Sequence, residues 1–356
     1  MKPDGVRRAG PGWGAVAVLL GAAAWGSTGT AAHFAPPGAT ADSIGAARIA
    51  IGGAGLLIVA LSTSASRRDA AGLLARRLSA EQADAEQARA QQANRHQGRR
   101  GGRTAARGGN WIAGWRAGSW RALLLLAAAA VAGYQVCFFT AVRETGVAIG
   151  TVVAIGSAPG WTGLLTLLTG GPRPGRRWVL ATVAAVAGCV VLVTGGRASG
   201  VSPAGVTLAL AAGLCYAVYA VVAARMITAG SAERAVMGLI FGGAAVLLAP
   251  VLAASDTGWL LTVRGLAVVG YLGVVTTVVA YLLYGRGLRT VPVPTATTLG
   301  LAEPAVAAVL GLLVLHERLS GPAIAGLVLV GLALASMAAA PAADHPEGIE
   351  QAGPPG

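Results

Sequence analysis

TATTLGLAEPAVAAVLGLLVLHERLSGPAIAGLVLVGLAL, residues 295–334, decides the fold. Two apolar runs flank the short polar segment HERLS at 316–320. A run of roughly 20 apolar residues is long enough to cross a bilayer's hydrocarbon core. Glu303 alone interrupts the first run with charge, and Pro304 follows it at once. A carboxylate inside a span costs at least ~2.5 kcal/mol on insertion scales. Glu303 therefore faces a cavity or a partner, or stays protonated.

Outward from this stretch the same pattern recurs. The apolar periodicity predicts spans at Trp13–His33, Ser43–Leu61, Trp120–Thr140, Val147–Leu168 and Trp178–Val193. It predicts five more at Gly205–Ala224, Val236–Ala254, Gly265–Tyr284, Pro294–Leu313 and Ala323–Ala340. Five is odd, so a unit entering at one face leaves at the other, and a second copy must enter upside down. The expected fold is an all-α integral membrane protein of ten transmembrane helices arranged as two inverted five-helix repeats. Secondary transporters commonly hold a solute site between such repeats.

Composition agrees. Apolar residues make up 55 % of the 356 and charged residues 12 %, about half the charge of a soluble domain. The formal charge of +13 does not point to nucleic acid, because the arginines lie between apolar segments, where topogenic charge is placed. Arginine far outnumbers lysine amid abundant Ala, Gly and Pro, as in a bacterium with a GC-rich genome. Cys137, Cys189 and Cys215 all lie inside apolar runs without metal-ligand spacing and read as small buried residues. Lys2, Arg7 and Arg8 before the first run resemble a signal peptide, but the run is too long for one and more spans follow it.

Positive charge sets the expected orientation. With the N-terminus cytoplasmic, 22 of the 27 Lys and Arg residues fall inside, twelve of them between Arg67 and Arg121. Arg48 lies within a span, and Arg143, Arg197, Arg264 and Arg318 fall outside. Without the long block the inside excess still holds, so both termini are expected in the cytoplasm of a cell-membrane protein. Trp13, Trp120, Trp178 and Trp259 stand near span ends, as interfacial anchors do.

The expected organisation is a tail at 1–12, a first repeat at 13–195, a second at 203–340 and a tail at 341–356. The first repeat contains an unusual basic insertion at 63–119. Its residues 69–92 have helix-forming composition, and 98–110 read as a disordered basic linker. The segment is either a solvated loop or a basic arm drawn to anionic headgroups.

An offset of 145 brings Thr145 onto Thr290, Pro159 onto Pro304, and Leu165, Leu167 and Leu168 onto Leu310, Leu312 and Leu313 without a gap. Upstream, an offset of 191 sets Trp25 opposite Tyr216. With GAAAWGSTGTAAHF in the first span and VRETGVAIGTVVAIGSAPG leading into the fourth, the chain resembles the drug/metabolite transporter superfamily, and within it the EamA-type ten-helix members. Glu303, Pro304, Glu317, Gly326 and Gly331 carry the resemblance in the second half. The first half departs from it, with Ala158 and Pro172 where the second has Glu303 and Glu317.

The resemblance implies a central cavity bordered by the first, third, fourth, sixth, eighth and ninth helices. It makes Trp25, Tyr134, Gln135, Tyr216, Tyr219 and Tyr281 candidates for lining it, against a plain packing role for each. Glu303 either lines the pathway, with protons as a candidate coupling ion, or bonds a neighbouring helix and pins the bend at Pro304. Arg48 either snorkels to the interface or pairs with a polar site or an anionic solute. Small-residue spacings such as Gly156-x-x-x-Gly160 permit close helix approach or gating near Pro159.

Enzyme signatures are lacking. The histidines are scattered, HERLS is not a zinc-binding HExxH, and no Walker loop is present. No cofactor, metal or nucleic-acid partner is expected; a small-molecule substrate and the lipid bilayer are, with oligomeric state left open. The expected function is secondary transport, most simply export of a small metabolite or drug by alternating access. The alternatives are an importer or facilitator of the same fold, or a membrane enzyme or scaffold.

Overall fold

A computed structural model of the chain describes residues 12–75, 120–194, 202–316 and 320–338. Among these residues all regular structure is helical, and ten helices are long and apolar enough to cross a membrane. The first repeat's spans are Trp13–His33, Ala41–Ser62, Trp120–Thr145, Val147–Leu168 and Arg176–Thr194. The second repeat's are Pro203–Thr228, Glu233–Ala254, Val263–Gly287, Val293–Val314 and Gly321–Ala338. They are called the first to the tenth span below.

Several helices outrun their apolar stretch, because helix ends are set by caps rather than by hydropathy. The second span starts at Ala41, where Thr40 and Ser43 form a reciprocal capping box. The sixth starts at Pro203 behind Ser202, whose hydroxyl accepts from the Gly205 amide. Proline suits that first turn, where its missing N–H would have no partner anyway.

The spans that correspond between repeats pack against each other in opposite directions. Gly53 faces Phe241 and Ala245, while Gly238 faces Leu56 and Ala60, so the second and seventh spans run antiparallel. Gly188 faces Gly326 and Val330, and Gly326 faces Gly188 and Leu192, so the fifth and tenth do likewise. The remaining pairings exchange in step: the third packs on the sixth as the eighth packs on the first, and the fourth on the sixth as the ninth on the first. This arrangement is consistent with two repeats of opposite topology.

Without a hydrophobic drive between helices in lipid, close backbone approach has to supply the packing. Glycine provides it. A Cβ on Gly53 would lie 2.4 Å from the Phe241 carbonyl, and one on Gly326 would lie 2.3 Å from the Leu192 amide nitrogen.

Two spans are irregular. The eighth changes at Val274–Val279 to π-helix, where the Thr276 and Thr277 hydroxyls donate to the Leu272 carbonyl at 2.8 and 3.0 Å. The ninth is two half-helices, Val293–Leu299 and Ala302–Val314, parted at Gly300 and Leu301.

The basic insertion opens with a helix. Ser64–Ala75 is a helix that buries Ala70 and Leu73, and the Asp69 carboxylate accepts from the Ala232 amide at 3.2 Å, just before the seventh span. The helical composition thus takes effect earlier than expected. Residues 76–119, the tails, 195–201 and Glu317 lie outside the described residues. Trp259, read as an interfacial anchor, is instead buried and donates from Nε1 to the Ser43 hydroxyl at 3.0 Å.

Candidate functional site

Seven of the ten residues singled out in the sequence meet around one cavity: Trp25, Arg48, Tyr134, Tyr216, Tyr219, Tyr281 and Glu303, with Ile155 as the eighth wall. The cavity measures about 50 Å³, room for a water or two. Six spans contribute as expected, and the second adds Arg48.

Aromatic rings build most of the wall. Trp25 lies 5.0 Å from Tyr281 and 5.3 Å from Tyr284 between ring centroids. Tyr216 stacks on Tyr219 at 5.3 Å and meets Tyr134 edge-on at 6.4 Å. Phe241 backs the cage, 4.0 Å from Tyr281. Each such contact is worth about 0.5–1.5 kcal/mol beyond the area it buries, so the cage is stiff. Tyr284 and Phe241 escaped the sequence reading; Tyr284 falls one helical turn below Tyr281, which was the signal that would have found it.

Polar atoms in this wall are left unmet. Trp25 Nε1 and Arg48 Nε are buried without a hydrogen-bond partner among the described residues, while the Tyr216 and Tyr219 hydroxyls have the Tyr284 and Tyr281 hydroxyls as neighbours. Buried donors are normally satisfied, and each orphan costs about 1–3 kcal/mol. A pair of them around one cavity is what a site for a polar solute looks like when empty of protein partners.

Glu303 enters this cavity at the first turn of a half-helix. Proline lacks an N–H and so frees the carbonyl four residues before it. For Pro304 that carbonyl is Gly300, and the Glu303 amide donates to it at 3.0 Å instead. The helix is thereby restarted at Ala302, and its positive end lies beside the Glu303 carboxylate, which an N-terminal dipole favours. Gly26 of the first span makes room, since a Cβ there would fall 2.7 Å from the Glu303 carbonyl oxygen. The Tyr216 hydroxyl abuts Gly300 at the break.

The upper half-helix is anchored by hydroxyls. Thr297 and Thr162 of the fourth span are 2.8 Å apart, and Thr298 and Thr182 of the fifth are 2.9 Å apart. All four side chains are buried.

Arg48 does not simply snorkel. Its Nη2 donates to Gln135 Oε1 at 3.5 Å, and the guanidinium lines the cavity with Glu303. The two charges do not form an ion pair with each other. Gln135 therefore adjoins the cavity through Arg48 rather than lining it. Pro159 and Pro304 are buried in their helices and shape the cavity without bordering it. Pro159 frees the Ile155 carbonyl, and Ile155 is the wall residue that counting four back from that proline would have found. Among the described residues no group of His, Cys, Asp and Glu is placed to hold a metal ion.

Beyond the cavity, each repeat carries an ion pair between the first turn of its second span and the end of its third. Asp42 pairs with Arg143 at one end of the bundle. Glu233 pairs with Arg289, and with Arg286 at 3.8 Å, at the other.

Comparison with known proteins agrees with this architecture. The sequence profile described as the EamA-like transporter family matches residues 203–339. Over 310 residues the chain is 36 % identical to a Bacillus subtilis (strain 168) protein named "Uncharacterized transporter YwfM", covering 87 % of this chain and 88 % of that one. A solved chain described only as "Crystal structure of protein" superposes with a TM-score of 0.64 at 20 % identity, covering 91 % of this chain and 95 % of that one. That last likeness concerns the fold.

Proposed function

Because this chain belongs to the EamA-like transporter family and is a multi-pass membrane transporter, we propose that it moves a small polar or amphipathic solute by secondary, alternating-access transport through the Glu303 cavity. The observation that carries this reading is the convergence of a lone carboxylate, an arginine and unmet donors on a cage formed by both repeats. A half-helix terminus at the mid-span of a repeat interface is the construction in which transporters hold a solute or a coupling ion.

The aromatic walls suit an apolar solute body, and Glu303 with Arg48 suits its polar groups. At about 50 Å³ the cavity holds little more than water, so the spans must part to admit a solute. Protons are the proposed coupling ion, since Glu303 is the one carboxylate in this wall. The direction proposed is export from a cytoplasm that contains both termini, in a bacterial cell membrane. Export rests on the family resemblance, and the orientation rests on the arginine distribution.

The test is counterflow in proteoliposomes with a panel of labelled amino acids, nucleosides and organic cations. Exchange of at least one solute above protein-free vesicles is expected. No exchange of any solute would indicate a scaffold, and product without net movement of intact solute would indicate an enzyme.

A further inference from the structure

A second cavity, about 330 Å³, lies in the groove between the second, third and seventh spans. Asp42, Ala46, Gln135, Phe139, Arg143 and Leu248 are among its walls. Its volume is within the range of small-molecule sites, whereas the central cavity is several times smaller. The Asp42–Arg143 ion pair bridges the groove at its mouth. At its floor stands Gln135, whose Oε1 holds Arg48 of the central cavity. One side-chain hydrogen bond thus joins a wall residue of each space.

The corresponding place in the second repeat is built differently. The 145-residue offset carries Gln135 onto Ala280, Phe139 onto Tyr284 and Arg143 onto Leu288. All three are buried, and Met237 and Glu233 press on Gly285 beside them. Ala280 and Tyr284 thus lie in packed surroundings, Leu288 borders a separate cavity of about 440 Å³ shared with the fourth, sixth and ninth spans, and the Asp42–Arg143 pair stands over the groove between the second, third and seventh. In an inverted repeat the two matched sets of residues occupy the same place on opposite faces of the membrane.

We propose that the groove between the second, third and seventh spans is the outer portal of the transport site: a vestibule that receives a small solute bearing both a cationic and an anionic group, with the Arg48–Gln135 bond as its inner door and the Asp42–Arg143 pair as its outer latch. Asp42 offers the cationic group a partner and Arg143 the anionic one, while Phe139 and Leu248 cover the apolar part. At the half-exposed surface the latch is weak, which lets a charged solute exchange for it. The door is a single long hydrogen bond, 3.5 Å. The assignment rests on the transporter reading and its orientation.

The experiment reads accessibility and needs no known solute. The full chain, with Cys137→Ser, Cys189→Ser and Cys215→Ser, is given Ala46→Cys or Ser255→Cys in the vestibule, or Ile155→Cys in the central cavity. Intact cells are then treated with a charged, membrane-impermeant thiol reagent. Both vestibule cysteines are expected to react from outside. Ile155→Cys is expected to react slowly, and at least about tenfold faster once Gln135→Ala removes the door. Vestibule cysteines that react only with a lipid-soluble maleimide would show that the groove faces lipid and overturn the portal. An Ile155→Cys rate unmoved by Gln135→Ala would overturn the door. Ser255→Cys, near-isosteric with the native residue, keeps the test decisive if Ala46→Cys fails to fold. Labelling as expected with no flux of any solute would instead remove the transport reading and leave the geometry standing.

Discussion

In the fourth span Pro159 lies inside an unbroken helix, Val147–Leu168; in the ninth, Pro304 lies in the first turn of a half-helix that begins at Ala302. The two prolines occupy matched positions in the two repeats, so proline alone does not break the chain. What differs is around it. Four residues before Pro304 stands Gly300, with poor helix propensity, where the fourth span has Ile155. Thr297 and Thr298 hold the preceding half-helix to the fourth and fifth spans, where the matched residues are Val152 and Val153 and carry no hydroxyl. Glu303 gains a helix terminus to face, where Ala158 is fully buried and apolar. One span thus runs unbroken past its proline, and the other carries the break and the carboxylate.

The sharpest way to break this contrast is to give the unbroken span the same carboxylate. Ala158→Glu buries a charge with no cavity or helix terminus to receive it, a loss of at least ~2.5 kcal/mol. Most of the variant is expected to aggregate on size-exclusion chromatography in detergent, and a monodisperse, active variant would show the two sites to be equivalent. Next in size, Gly26→Val presses a side chain onto the Glu303 carbonyl. It is expected to cost about 1–3 kcal/mol, read as a lowered Tm, while the same change at Gly29, which has open space around it, should be nearly neutral.

Pro304→Ala restores a donor and a helix-forming residue at the joint. Lower flux with an unchanged or raised Tm is expected, down about tenfold if the joint must open by some 1.4 kcal/mol more. Pro159→Ala should leave flux within about twofold. Equal effects at both prolines would remove the distinction between unbroken span and joint. The smallest expected effect is that of Thr298→Val, about 0.6 kcal/mol and at most about 1.7, with the same loss from Thr182→Val and no further loss when the two are combined.

The spans and their number were legible because apolar length is a property of the sequence itself, and the antiparallel packing of matched spans is consistent with the inversion expected from the odd count per half. Glu303 and Arg48 were legible because an intramembrane charge stands out in an Ala-rich span, whereas Trp25, Tyr134, Tyr216, Tyr219 and Tyr281 were candidates only through the family resemblance. The break at Gly300 and Leu301 was not, since Pro304 predicts only a bend and the anchoring threonine pairs link residues more than a hundred positions apart. Ser64–Ala75 was hidden for a similar reason, because its docking depends on Asp69 reaching the Ala232 amide. Arg48 was read as open between snorkelling and pairing; its Gln135 contact joins the second span to the third, a pairing that local sequence does not show.

Glu303 at the joint is the hinge of the functional account, and Glu303→Gln probes it with almost no change of shape. Wild-type and variant protein in proteoliposomes would be compared for accumulation driven by a pH gradient and for solute exchange without one, using a solute found by the counterflow panel. The account predicts that gradient-driven accumulation falls at least about tenfold while exchange persists. Accumulation and its pH dependence unchanged in Glu303→Gln would contradict it.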